Sequence, residues 1–196
     1  GRLTGYAAFT PSAALLQAMI IASASDITKR YATNSCTGGS TDISYGSTAK
    51  PNDQQGFGRV TLSNVIPLTG DFETNVYDNI ELQSGDSVEY MVQIKAGTKD
   101  FRATLVWTDP PASSAAGKIL VHDLDLLVEH VSSGSSIFPN GGTSKDTINN
   151  VERVHIQRSD LTVGEWYKIT VTANALSVSD SQKFALVVNG NFEAPR

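Results

Sequence analysis

The chain has 196 residues, 40% of them apolar, enough for one large domain or for a small domain with an added segment to bury a core. Lys and Arg number 15 against 20 Asp and Glu, a formal net charge of −5 with no long run of either sign, so a phosphate backbone meets no basic field and nucleic acid is not an expected partner. The longest apolar stretch, around residues 15–24, is short and broken by Ser and Gln, so no membrane span is expected, and Cys36 as the only cysteine excludes an internal disulfide.

In chain order, Thr10-Pro11 reads as an N-cap and first helical residue, and Leu15, Leu16, Met19 and Ile20 recur at helical spacing on one face. The spacing predicts a helix over residues 11–24. Residues 33–55 are rich in Gly, Ser, Thr, Asn and Asp and read as loop, with Pro51-Asn52-Asp53 as a turn signal. Gly56-Phe57-Gly58 lacks the third glycine and the preceding strand of a dinucleotide fingerprint, so it reads as backbone packing in a turn.

Near residue 70 the apolar period changes to two. Val88, Tyr90, Val92 and Ile94 share one strand face, as do Phe101, Ala103, Leu105 and Trp107, with Gly97 and Asp100 between the two runs. Leu124, Leu126 and Val128 repeat the pattern, then Val154 with Ile156, then Tyr167, Ile169 and Val171, then Phe184, Leu186 and Val188. With weaker runs at Ile80–Leu82 and Ile137, about eight strands are expected, each with one polar face. That pattern favours an antiparallel, jelly-roll-like β-sandwich over a parallel α/β core.

No Gly-x-Ser-x-Gly elbow and no His-Glu-x-x-His motif occurs, and no serine, histidine and acid fall at a spacing that marks a hydrolase. His122 and His130 stand at the two ends of one strand pattern and His155 on the outer face of another, so all three read as surface or strand-edge residues. Asp123 and Asp125 flank Leu124 and project from one face of a strand, where two carboxylates repel unless compensated. Calcium would compensate them, with further oxygens from a loop that offers Asn140, Asp146, Asn149 and Asn150. The alternative is that these side chains are solvated or hydrogen-bonded to loop backbone. Trp107 falls on the apolar face with Leu105, Asp109 precedes two prolines at a strand exit, and Arg59 is expected to tie its segment down by a charge-assisted hydrogen bond.

Three stretches together resemble the subtilisin-like serine proteases. Phe9-Thr10-Pro11-Ser12-Ala13-Ala14-Leu15-Leu16 is similar to a late helix of their catalytic domain, and Pro51-Asn52-Asp53-Gln54-Gln55-Gly56-Phe57-Gly58-Arg59-Val60 to the stretch that closes it. Ala103-Thr104-Leu105-Val106-Trp107-Thr108-Asp109-Pro110-Pro111, then Leu120–Leu126, then Asn149-Asn150-Val151-Glu152, resembles the β-sandwich appended in the branch that includes oxidatively stable alkaline proteases. The resemblance runs from about Phe9 to Gly190. It implies that residues 1–68 end an α/β catalytic domain, of which they are a short helical remnant, and that residues 69–196 form the appended sandwich. It also implies that the catalytic aspartate, histidine and serine all lie upstream of this sequence, so the chain alone is expected to hydrolyse nothing. The parent would be an extracellular or secreted endopeptidase acting on polypeptides, with its own catalytic domain as the sandwich's partner. The family's sandwich binds calcium, partly through an acidic loop before the Asn149–Glu152 stretch. The resemblance thus implies a calcium site at Asp123, Asp125 and Asp146, although the matching loop here carries the single acid Asp146. A second expectation, from a different class, is a carbohydrate- or protein-binding sandwich, for which Trp166 is the candidate exposed aromatic.

Overall fold

The structure is a computed structural model that describes residues 9–27, 51–68 and 70–193; most of the loop expected over 33–55, and Cys36, lie outside the described residues. Among the described residues one α-helix, α1 (Ala13–Ser23), precedes nine strands: β1 (Glu73–Gln83), β2 (Ser87–Ile94), β3 (Phe101–Trp107), β4 (His122–His130), β5 (Ser135–Ile137), β6 (Val151–Ile156), β7 (Trp166–Leu176), β8 (Ser181–Gly190) and β9 (Phe192–Glu193). They form a four-stranded sheet in the order β1-β8-β3-β6 and a five-stranded sheet in the order β5-β4-β7-β2-β9. The antiparallel pairs nest, β1 with β8, β2 with β7, β3 with β6 and β4 with β5. That nesting is the jelly roll, one long hairpin wound into two facing sheets, and β9 adds two residues to the far edge beyond β2.

Period two explains the inner layer. Phe101, Ala103, Leu105 and Trp107 from one sheet meet Leu124, Leu126, Val128, Tyr167, Ile169 and Val171 from the other, and all belong to one buried cluster with Phe184, Leu186 and Val188. Ile80 and Ile137, from the weaker runs, pack against it. Each large side chain buried in this way contributes about 1.5–3 kcal/mol. The Trp107 indole N–H donates to the His122 carbonyl at 3.1 Å, so the largest core side chain also satisfies its one polar atom. The turn before β3 needs a glycine: a Cβ at Gly97 would stand 2.0 Å from the Asn191 side chain, whose Oδ1 accepts from the Lys99 N–H at 2.7 Å.

The outer face of the four-stranded sheet is apolar as well. Val106 and Ala185 with Val187 pack against Ala14, Leu15, Ala18, Ala22 and Val65, so α1 forms a third layer. The helix is shorter than the spacing predicts and presents a different stripe. Ser12, rather than Thr10, is the N-cap, with Oγ accepting from Leu15 N–H at 3.0 Å. Ala14, Leu15, Ala18 and Ala22 are buried, whereas Leu16 and Ile20, expected on the buried face, are exposed. Three alanines let the helix lie close to the sheet, where larger side chains would hold it off.

A bulge in β1 sets the position of the helix. The register of β1 on β8 shifts between Tyr77 and Ile80, and Asn79 takes a positive φ of 57°, leaving Asp78 outside the ladder. Its carboxylate accepts from Ser12 N–H at 2.9 Å and from Ser12 Oγ at 2.5 Å, so the cap is held by the sandwich. Further ties follow along residues 51–68. Asn52 Oδ1 accepts from Gln54 and Gln55 N–H in the expected turn, and Ser25 and Arg59 exchange two backbone hydrogen bonds at 2.8 Å. Asn189 Nδ2 donates to the Asn64 carbonyl at 2.8 Å and Thr74 Oγ1 to that of Val65 at 2.7 Å. No helix among the described residues is long and apolar enough to cross a membrane, which does not bear on β-barrels.

Asp78→Ala is expected to destabilise the chain by about 1–2 kcal/mol, through loss of a charge-assisted cap. In calorimetry, Ser12→Ala and Asp78→Ala should couple in a double-mutant cycle by about 0.5 kcal/mol or more; additive costs would show that the bulge does not hold the helix.

Candidate functional site

The sandwich closes at one corner over an acidic cluster. β5 pairs with β4 only from Val128 to His130, and beyond that point the Leu126 N–H donates to Glu152 Oε2 at 2.6 Å. Glu152 is fully buried, with Asp123 and Asp125 of β4 buried beside it. Asp123 and Asp125 share a face of β4 as expected, but that face is covered rather than exposed. Asp125 Oδ2 accepts from Lys145 Nζ at 2.8 Å, and Lys118 Nζ lies 3.6 Å from Asp123 Oδ2. The remaining oxygens, Asp123 Oδ1, Asp125 Oδ1 and Glu152 Oε1, are buried and have no hydrogen-bond partner among the described residues.

Asp146 does not join them. Its Oδ2 accepts from Asn140 Nδ2 at 2.8 Å and Asn149 Nδ2 at 2.7 Å, and its Oδ1 from the N–H groups of Ile148 and Asn149 at 3.0 and 3.1 Å. Burial alone would raise this carboxyl, but the four hydrogen bonds prevail and hold it below the ordinary carboxylate value. Both of its oxygens are committed to shaping the loop. Among the described residues, no three His, Cys, Asp or Glu side chains converge to hold a metal ion. Calcium takes six to eight oxygen ligands; here both oxygens of Asp146 bond its own loop and lysines approach Asp123 and Asp125, so with those lysines in place the three acids do not converge on one ion. Asn140, in the left-handed region at φ 56°, donates to the Val151 carbonyl at 2.9 Å and accepts from Arg153 N–H at 3.1 Å, covering the free edge of β6 as a strand would. Asn150 donates to the Trp107 carbonyl at 3.0 Å.

Two of the three histidines differ from the surface reading. His122 is buried: its Nδ1 donates to Gln182 Oε1 at 2.6 Å, while Val178 N–H donates to its Nε2 at 3.3 Å, so the two ring nitrogens have distinct donor and acceptor roles. His155 does lie on the outer sheet face, but its side chain is covered and its Nε2 bonds Asp100 Oδ2 at 2.9 Å. Burial lowers the His155 pKa, with the Asp100 hydrogen bond opposing the shift. His130 keeps its strand-end position, in a turn network with Ser133 Oγ at 2.7 Å and Glu165 Oε2 at 3.3 Å. Alternation cannot show that another layer will cover a strand's polar face, and that cover is what separates His155 from the expectation.

Sequence reasoning missed Glu152 and Arg153, neighbours on β6 that are both fully buried on opposite faces. Arg153 Nη1 donates to the carbonyls of Ile21 at 3.2 Å and Phe57 at 3.4 Å, and its guanidinium lies over the Phe57 ring at 4.9 Å. The available signal was a pair of opposite charges inside an apolar strand, between Val151 and Val154. Asp109 acts structurally, its two oxygens accepting from Val121 and His122 N–H at 2.9 and 2.8 Å. Trp166 is half-buried, and its neighbour across the strand face, Lys168, pairs with Glu129 at 2.9 Å and Glu89 at 3.3 Å.

Exposed large apolar side chains are denser along the covering layer than on the sandwich, where Ile119, Ile148 and Val178 are scattered. Leu16 is 53% and Ile20 49% exposed on the outer side of α1, and Phe9, Val60, Leu62 and Leu68 are exposed nearby in sequence. The outer side of α1 thus presents two large apolar side chains, with the exposed Gln17 beside them, where a helix that only covered a sheet would be mostly polar.

No protein-family model matches the chain. It is similar to three curated proteins of Dictyostelium discoideum. One, named serine protease/ABC transporter B family protein tagB, is 39% identical over 98 residues, 45% of this chain and 5% of its own length. Two others with the same family name, tagD and tagA, are 26% and 28% identical over 74% and 96% of this chain. The chain spans a tenth or less of the length of these relatives. The likeness supports a protease-related role.

Burial beside Asp125 and Asp146, opposed by the Leu126 hydrogen bond, pushes the Glu152 pKa from 4.5 up to about 10. The folded state therefore holds a proton that the unfolded state releases, and stability falls as pH rises from about 4.5 towards 10. Glu152→Gln keeps an acceptor for Leu126 without that proton. It should raise stability by roughly 3 kcal/mol at pH 7, with the gain vanishing below pH ~4.5. Urea unfolding of both proteins from pH 4 to 9 checks the slope, and parallel curves would show that Glu152 is ionised in the fold.

Proposed function

We propose that this chain is the non-catalytic carboxy-terminal portion of a subtilisin-like serine endopeptidase, with residues 69–196 as an appended jelly roll that stabilises the catalytic body and shapes substrate access beside it. The observation that carries this reading is the helix α1, packed on the sandwich through its alanine stripe and bare on the side that bears Leu16 and Ile20. The occupant of the bare side is the catalytic domain of the same polypeptide. Two arguments support that choice: the chain amounts to a tenth or less of relatives named as serine proteases, and Phe9–Leu16 resembles a helix of the subtilase body.

On this reading α1 and residues 51–68 are a shared layer, buried by the jelly roll on one side and by the protease on the other. Burial of apolar surface on both sides couples the stability of the two parts. On this reading the nucleophile belongs to the part of the polypeptide that precedes this chain, and substrate is cut there.

The test compares Leu16→Glu/Ile20→Glu in the chain alone and in the longer protease. In the chain alone both side chains face outward, and the thermal midpoint should move by less than about 2 °C. In the longer protein the same pair should lower the midpoint by roughly 4 °C or more and reduce casein hydrolysis. A longer protein unchanged in both measurements would sink the reading.

A further inference from the structure

The acidic corner departs from the metal site that the resemblance implies, and the departure has a specific cause in this chain. Asp123 and Asp125 are buried on adjacent same-face positions of β4, each with one oxygen lacking a hydrogen-bond partner among the described residues. A pair of carboxylates so placed requires positive charge nearby. The two cations come from opposite sides of the corner: Lys145, in the loop between β5 and β6, at 2.8 Å from Asp125 Oδ2, and Lys118, ahead of β4, at 3.6 Å from Asp123 Oδ2. Both lysines are half-exposed, with stems that reach inward from the surface while only the ammonium meets the buried acid. Asp146, the third acid, is turned away by its own loop.

We propose that Lys145, supported by Lys118, is a built-in counter-cation that keeps the acidic corner closed to divalent metal ions. The ammonium occupies Asp125 Oδ2, one of the carboxylate oxygens of this corner, and it is tethered by the chain, so it competes with a free cation at a fixed high local concentration. Removing Lys145 frees Asp125 Oδ2 beside Oδ1, which already lacks a partner among the described residues, and leaves Lys118 as the one lysine beside the pair, which creates demand for a cation that Lys145 otherwise meets. The proposal concerns residues within this chain and stands independently of whether a protease body docks on α1.

The experiment uses the intact chain, Lys145→Ala and Lys145→Met, the last retaining the stem without the charge. Each is unfolded thermally with a calcium chelator, with millimolar calcium chloride, and with sodium chloride at matched ionic strength, and each is titrated with calcium by calorimetry. The expected result for the intact chain is no saturable heat and midpoints equal within about 1 °C in all three conditions. Lys145→Ala or Lys145→Met should lose about 3 °C or more in chelator, recover most of it with calcium but not with sodium, and bind calcium with a Kd below about 1 mM. Two results overturn the proposal: stoichiometric calcium binding that stabilises the intact chain, which would make the corner a native metal site, or lysine variants that ignore calcium.

Discussion

Every residue of β3 is buried, on both faces of its sheet. A strand in the middle of a two-layer sandwich needs cover on one face only, since the other meets water. Here Leu105 and Trp107 fill the interior while Thr104 and Val106 point outward beneath a third layer. An uncovered Val106, Ala185 and Val187 would leave an apolar surface on the molecule, so the outer cover follows from the composition of the central strands themselves. The position of α1, the bulge that presents Asp78, and the side-chain bonds from Thr74, Asn189 and Arg153 to residues 21–65 all serve that layer.

β6 shows how the molecule handles charge that burial would otherwise make costly. Glu152 points into the corner between the sheets and Arg153 points outward under the helix, and neither reaches water. The arginine keeps its charge because two carbonyls and an aromatic face substitute for solvent. The glutamate meets two aspartates, and burial favours its neutral form. The two neighbours thus join the strand to different parts of the structure, the arginine to the layer that we assign to the protease interface and the glutamate to the lysine-closed corner. In this way one strand links interior chemistry to the outer surface on which the proposed function depends.

The apolar surface of α1 gives the layer its second role. Its alanine stripe permits close approach to the sheet, and its larger side chains, Leu16 and Ile20, are left for another surface. Gln17 is exposed beside them, so the outer side is mixed, but its two largest side chains are apolar. The chain spans about a tenth of the length of relatives to which it is 26–28% identical.

The sequence by itself determined the inner layer of the jelly roll. Period-two alternation from Val88 to Val188 is a local consequence of strand geometry, and every residue named from it that faces inward packs into the one core. It also marked α1, with the cap two residues early and half of the stripe: Leu15 and Met19 pack against the sheet while Leu16 and Ile20 do not, because helical spacing ranks apolar residues by size, whereas contact with a sheet favours the alanines that let the backbones approach. Asp123 and Asp125 were legible as a same-face pair, since that follows from the pleat. Only the tertiary structure decided what compensates them: Lys118 and Lys145 lie 5 and 20 residues away along the chain from their partners, and Asp146 turns to its own loop. The burial of His122, His155, Glu152 and Arg153 was likewise settled by layers that pack from distant segments, because a strand's pattern records which face each side chain takes but not what comes to lie against it.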